Sequence, residues 1–511
     1  MTILIGVDVG TTTIKALAYD PARGEPVAIA ARPTPVEHPR PGWSEHDPEA
    51  LWATVAACVR EVLSACEGCE IAGLGVSSFA EAGLPLDASG RPLYPIIAWY
   101  DRRCEPQAAW WEGQISAAAL HAITGQRVSP SFGVNKWMWL RDNEPHRVEN
   151  MAVWLSTPDY ILWRLTGERA TDYTIASRTL LFDQRTQTWS DELLRRAGLR
   201  REQLPEPLPG GTVVGRVTPQ AAGETGLPAG TPCALGGHDH LVAAVAAGGY
   251  QPGTVIDSSG TAQAVLMFLS EFHTNEQMAG SGYACYSHVL PGAYVLKAGL
   301  KLAGGAVEWL ARQLSDAGTP ADRLPYAALL AEAERTVGRQ AGPVWLPHLL
   351  GSGTPEGDRH SRAALVGLTA EHGQGDIFRA LLESLAFWLR HNLTEVSALT
   401  GQPVREVTLL GGTKRLELLT RLKAAALNQP VTVLEIPEAA ATGAALLAGI
   451  GAEVFDGPAE AARSLKDDRV VIPPDAGLVE WYDRIYHETY LPLYGLLRDV
   501  HHRLAAYTSA H

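Results

Sequence analysis

The chain is predicted to be an α/β protein built from two related halves. Strands and a helix alternate at the N-terminus, proline and glycine thicken near the middle, and one strand-to-turn pattern then returns. Residues 3–9, ILIGVDV, read as a buried strand. VAIAARP, from Val27, reads as another after the turn DPARGEP. A helix is expected to start near Asp47, where HDPEALWATVAACVREVLSAC has an acidic first turn and helical apolar spacing. IAGLGVSS is then a short apolar run of strand type.

LPEPLPGGTVVGRVTP and GLPAGTPCALGG, between Leu204 and Gly237, mark loops around a junction. Beyond it GTVIDSSGTAQAV (253–265) repeats LIGVDVGTTTIKA (4–16): a β-branched strand, Asp, two residues, Gly-Thr, then small residues. A duplication dividing the chain into 1–247 and 248–511 is therefore expected, and a chain of 511 residues exceeds one ordinary core.

Composition removes several function classes. A net charge of −14 argues against a nucleic-acid partner, which requires a concentrated positive field. A phosphate-bearing small ligand remains open, because a few N–H groups and one magnesium ion can hold it. Six cysteines, with a lone Cys66-Glu-Gly-Cys69 pair, make no disulfide framework and fit a reducing cytoplasm. The start MTILIGVDVG lacks a basic leader, and no apolar run reaches about 18 residues, so neither secretion nor a membrane partner is expected.

In VDVGTTTIK, Gly10 permits a tight turn, Thr11, Thr12 and Thr13 offer donors to phosphate oxygens, and Asp8 is placed to hold a hydrated Mg²⁺; a plain hairpin with Asp8 as a local cap is the alternative. Ser258, Ser259, Gly260 and Thr261 repeat the device, and LLGGTKR carries a third strand into Gly411 and Gly412. None of the three fits the P-loop or the GxGxxG fingerprint.

The ordered set resembles the FGGY carbohydrate kinases of the actin-like ATPase superfold, from about Ile3 to about Phe455. KWMWLRDNEP from Lys136 is similar to that family's first signature and AALVGLTAEHGQGDIFRALLE, ending at Glu383, to its second. STPDYILWRLTGERATDYTIAS from Ser156 and AWYDRR from Ala98 match further. Thr413 stands where a third glycine is common, and Leu416 where an asparagine often lies near the purine.

The resemblance implies two duplicated actin-like (ribonuclease H-like) domains with a cleft between them, ATP and Mg²⁺ as cofactors, a sugar or polyol as substrate, and a homodimer as a common state. It places Asp239 as the catalytic base and Asp8 with Asp239 on the Mg²⁺ side, through water. It places Asp8, Gly10, Thr11, Thr12, Thr13, Lys15, Ser259, Gly260, Thr261, Gly304, Gly305, Gly411, Gly412 and Arg415 at the nucleotide. Gly304 and Gly305 read equally as close helix packing. Ala80, Glu81, Trp99, Asp101, Arg102, Asp239 and His240 fall on the sugar side, with core packing as the other reading of Trp99 and a solvated loop that of Glu81.

Glu81 falls where glycerol kinases carry the Glu of an Arg-Glu pair and xylulokinases usually a His; it would disfavour an acidic sugar by like-charge repulsion. D-Xylulose ranks first, from WSEHDPEALW and TPDYILWRLTGERATDYTIAS. L-fuculose, L-rhamnulose, D-ribulose, glycerol, erythritol and gluconate are alternatives, and GHD at 237–239 resembles fuculokinases and rhamnulokinases. A different class, an actin-like ATPase without sugar chemistry, would keep the phosphate turns alone. His238-Asp239-His240 is not expected to form a metal site, because consecutive residues alternate in direction along an extended strand. The small residues Val242 to Gly249 read as a tightly packed helix whose dipole keeps Asp239 ionised.

Overall fold

The computed structural model describes residues 1–316, 319–320, 324–339, 342–412, 416–466 and 468–508. The N-terminal sheet is built from β1 (Thr2–Val9), β2 (Thr13–Asp20), β3 (Glu25–Pro33), β4 (Glu70–Ser78), β5 (Val213–Arg216) and β6 (Pro232–His238), in the order β5-β6-β4-β1-β2-β3. β1–β2 and β2–β3 are antiparallel, whereas β1–β4 and β4–β6 are parallel. Helix α1 (Pro48–Ser64) starts as its sequence signals: the Asp47 side chain accepts from Ala50 N, with Pro48 following. Its apolar face, including Leu51, Trp52, Val55 and Val59, packs on Ile3, Ile5 and Val7; burying such a side chain stabilises by roughly 1.5–3 kcal/mol.

The C-terminal sheet repeats this plan. Strands β7 (Thr254–Ser259), β8 (Gln263–Leu269), β9 (Ala284–Ser287), β10 (Tyr294–Leu300), β11 (Glu406–Leu410), β12 (Val431–Val433) and β13 (Val470–Ile472) lie in the order β9-β10-β8-β7-β11-β12-β13. Along β10-β8-β7-β11-β12 the pairings run antiparallel, antiparallel, parallel, parallel, the same succession as along β3-β2-β1-β4-β6. Both halves are therefore α/β units of one design. Thr13–Asp20, passed over in the sequence as a mere continuation of the first turn, is a full strand whose last five residues are all buried.

Two helices are exchanged at the junction. α2 (Asp239–Ala246) follows β6 directly, yet Leu241, Val242 and Val245 pack on Ile256, Leu266 and Phe268 of the C-terminal sheet. Helix α6, at Ala439–Gly451 after α3 (Gly304–Gln313), α4 (Gln374–Thr400) and α5 (Glu417–Leu427), packs on Leu4, Leu17 and Tyr19 of the N-terminal sheet. The contacts approach backbone distance. A Cβ on Gly6 would lie 1.8 Å from Ala441 O, and one on Gly443 would lie 2.1 Å from Val242 O. The tight packing expected of the small-residue run is thus present, against α6. A cut at 247/248 would separate α2 from the sheet it covers.

A four-stranded sheet (Glu45–His46, Gly83–Leu86, Ile96–Ile97, Val153–Ser156) and a tryptophan-rich core around Trp111, Trp137 and Trp189 flank the N-terminal half. All six cysteines are free thiols. Among the described residues no helix is long and apolar enough to cross a membrane.

Candidate active site

Asp8, the last residue but one of β1, lies opposite Lys15 on β2 and Ser77 on β4. Ser77 Oγ donates to Asp8 Oδ1 at 2.9 Å. The following turn is a hairpin, with Gly10 N donating to Thr13 O at 3.2 Å and Thr34 Oγ1 to Gly10 O at 2.7 Å. Thr11 and Thr12 form its tip. Lys15 reaches across the junction to pair with Glu438, just before α6.

Asp239 is the first residue of α2; His238, the end of β6, occupies the N-cap position without a side-chain cap bond. Its carboxylate accepts from His240 N at 2.6 Å. Thr171–Ser177 builds the turn from below. Asp172 takes Thr174 N and Ile175 N, and Thr174 Oγ1 accepts from His238 N at 2.8 Å. A Cβ at Gly237 would meet Thr174 Oγ1 at 2.8 Å, so this close approach needs glycine. TDYTIAS, noted in the sequence only as a family match, is the brace of the Asp239 turn.

Burial pushes the Asp8 carboxyl up to about 7, and the charge of Asp239 adds to the effect against the Ser77 hydrogen bond. Burial likewise pushes Asp239 up to about 7. The His240 N–H and the Lys297 ammonium oppose this, and Glu81 adds to it. Burial thus opposes the ionised form that the helix N-terminus is expected to favour at Asp239. Two half-buried carboxylates whose charges repel fit a divalent cation, which would relieve both.

His238, Asp239 and His240 present ligand atoms within 4.8 Å of one another, which corrects the expectation that they diverge. They gather because the strand ends at His238 and the helix begins at Asp239. Burial lowers both imidazoles, His240 to about 4.

Glu81 is buried at φ 67° in the left-handed region, and Arg178 Nε donates to its Oε1 at 2.7 Å. Arg178 also pairs with Gln126 Oε1 and lies over the Phe132 ring at 4.8 Å. Ala80 beside it is buried. The solvated-loop reading of Glu81 therefore fails. Arg178, Gln126 and Lys297 escaped sequence reasoning, although Arg178 stands one residue past TDYTIAS.

The remaining sugar-side expectations need correction. Both Asp101 oxygens are taken up, by Ser44 N at 2.6 Å and by Arg103, whose Nε lies at 2.9 Å. This buried ion pair is structural. Arg102 is solvent-exposed and pairs with Glu105 at 3.0 Å. Trp99, 37% exposed, donates through Nε1 to Thr11 Oγ1 at 3.0 Å, so it touches the first turn rather than packing in the core.

On the C-terminal side Gly260 and Thr261 form the exposed tip of the β7–β8 hairpin. Gly304 N donates to Gly260 O at 2.9 Å and Gly305 N to Thr261 O at 3.1 Å, which sets the start of α3 against that tip. Gly411, at φ 86°, closes the group: a Cβ there would lie 2.5 Å from Ser259 O. Gly412 beside it is exposed, and Thr413 and Arg415 fall outside the described residues.

The second turn is not a chemical copy of the first. Ser259 Oγ turns inward to Asp257 Oδ1 at 2.8 Å, and Lys423 Nζ neutralises Asp257 at 2.6 Å, so Ser259 has only its main chain to offer a ligand.

A cavity of about 780 Å³ lies between the halves, walled by Arg178 and His240 on one side and by Gly260, Thr261, Lys297 and Gly411 on the other. Asp239 stands one residue, and Glu81 one ion pair, behind this wall. Residues 3–246 match the N-terminal domain, and residues 257–452 the C-terminal domain, of the FGGY family of carbohydrate kinases. The chain belongs to this family. Its members are kinases of carbohydrates and polyols, and the chain is an enzyme of that kind.

A glycerol kinase of Methylibium petroleiphilum is 33% identical, with 93% of this chain and 95% of that protein covered. A xylulose kinase of Escherichia coli is 30% identical, with 81% and 82% covered. The crystal structure of xylulose kinase from Rhodospirillum rubrum superposes with a TM-score of 0.89 at 30% identity, covering 98% of this chain and 100% of that one. The duplicated FGGY kinase fold expected from the three turns is thus present, and family membership sets aside an actin-like ATPase without sugar chemistry.

Proposed function

We propose that this FGGY kinase transfers the γ-phosphate of ATP to a hydroxyl of a neutral ketose, D-xylulose first. The observation that carries the reading is one cleft with Asp239 and Glu81–Arg178 on one side and the Gly260–Thr261, Gly304–Gly305 and Gly411 turns on the other. Glycine turns of this kind let a phosphate approach the main chain; the N–H groups of Gly260, Gly304 and Gly305 are bonded within the fold, so in this reading Thr261 and Gly411 make the contact. Glu81 accepts from substrate hydroxyls and Arg178 holds it in place.

Asp239 takes the proton of the attacking hydroxyl as its oxygen bonds to the γ-phosphorus and the bond to the β-phosphate bridging oxygen breaks, giving ADP and the sugar phosphate. Asp8 and Asp239 would hold Mg²⁺ through water, and its charge would offset that of the phosphates. Ser77 orients Asp8, and Thr174 fixes the turn that carries Asp239. The two lobes, with α2 and α6 crossing between them, close on the two substrates and exclude water as a competing acceptor.

D-Xylulose is placed first because xylulose kinases stand among the relatives in sequence and in structure. Ala80, not an arginine, precedes Glu81, which separates this pocket from the Arg-Glu pair of glycerol kinases. A glycerol kinase at 33% identity supports a polyol as the second reading. Sugar-stimulated ADP release on D-xylulose, D-ribulose, L-fuculose, L-rhamnulose, glycerol, erythritol and gluconate decides between them. The highest kcat/KM is expected on D-xylulose; glycerol on top establishes the second reading, and turnover of none overturns both.

A further inference from the structure

Lys297 sits on β10 opposite Leu266 of β8 and Ala284 of β9, and it lines the same cavity as Arg178 and His240, from the facing wall. Its ammonium has no hydrogen-bond or ion-pair partner among the described residues. Burial lowers it to about 8, with Arg178 adding to the shift and Glu81 and Asp239 opposing it. It therefore lies within electrostatic reach of both sugar-side carboxylates, yet bonds neither. Ala284 faces Lys297 on β9, and two residues on, the Tyr286 ring lies 5.9 Å from the Arg178 guanidinium, which places the ammonium toward the sugar end.

The neighbouring donors are already engaged. Arg178 uses Nε and one terminal nitrogen on Glu81 and the other on Gln126. Glu81 and Asp239, as carboxylates, accept from hydroxyls and from nothing that lacks a hydrogen. An ammonium offers three donors and no acceptor, the complement of an oxygen that only accepts.

We propose that Lys297 is the specificity-determining residue of the pocket: it donates to the carbonyl oxygen of a neutral ketose and so ranks ketoses above polyols. This rests on the sugar-kinase reading given above. A polyol hydroxyl accepts the same bond, but its own proton must also be placed where the other sugar hydroxyls already take up Glu81 and Asp239, so the ammonium favours the oxygen that only accepts.

The test is calorimetric titration of the full chain with D-xylulose against xylitol, which differ only at C2, and with D-ribulose against ribitol. The intact protein should bind the ketose about 10- to 100-fold more tightly than its alditol, the size of one hydrogen bond to a charged group. Lys297→Met should bind both at the alditol level, and Lys297→Gln, which keeps a donor and settles the matter if the Met variant misfolds, should fall between. No preference in the intact protein, a preference retained by Lys297→Met, or an equal loss for both ligands would overturn the assignment. Unchanged binding with a lost kcat would overturn it as well, and would move Lys297 to the transferring phosphoryl group. Sugar turnover by the intact protein alongside any of these leaves the kinase reading standing; no turnover of any panel sugar ends both.

Discussion

Arg178 and Glu81 are joined, Nε to Oε1 at 2.7 Å, across 97 residues of sequence, and the pair brings the end of TDYTIAS against the loop after β4. Both side chains are nearly buried, so removing one strands a charge in low dielectric.

Arg178→Met is therefore expected to cost about 3–5 kcal/mol in urea unfolding, and Arg178→Met with Glu81→Met to recover most of it. Sugar KM should rise about 10- to 100-fold in both variants, while the KM for ATP moves by less than about 3-fold. An equal rise in both KM values would place the pair outside the sugar subsite.

Asp8 and Asp257 occupy equivalent strand ends but opposite electrostatic states. Asp257→Asn strips Lys423 of its partner and should destabilise by about 3 kcal/mol. Asp8→Asn removes a strained charge and, in metal-free buffer at pH 7, should stabilise by about 1–3 kcal/mol while abolishing turnover. The sign follows from linkage. The folded Asp8 carboxyl is raised from 3.8 to about 7, so it favours folding at acid pH, and the gain is lost as pH rises through that range. Urea midpoints from pH 4 to 8 should fall less steeply for Asp8→Asn; a parallel fall contradicts the assignment.

Gly411→Ala forces a Cβ against Ser259 O from a left-handed backbone. The KM for ATP should rise about 10-fold or more, with sugar binding unchanged. Fluorescence titration with a nucleotide analogue measures it, and unaltered affinity would remove Gly411 from the nucleotide side.

Local signals read well from sequence. Asp47 and Pro48 start α1, and the strands ILIGVDV, IAGLGVSS and VTLL lead into the segments that meet at the cleft, because period, caps and turn residues act within a few positions. Relationships closed by the fold did not. DVGTT and DSSGT look alike, and Lys423, 166 residues from Asp257, together with Ser259 and Gln263 separates their chemistry. Thr13–Asp20 carries Lys15 and Asp20 in a strand buried almost throughout, which hides its period. Lys297 lies in an ordinary strand, YVLKAGL, whose place in the cavity follows from sheet order. Asp101 and Arg102 looked available because nothing local announces the Asp101–Arg103 pair.

Asp239→Ala, assayed for sugar-stimulated ADP release beside ATP binding, addresses the proposed chemistry most directly. Loss of the base should lower kcat about 10²- to 10⁴-fold and leave the Kd for ATP within about 3-fold. Transfer persisting near the rate of the intact enzyme would contradict the assignment of Asp239 as the base.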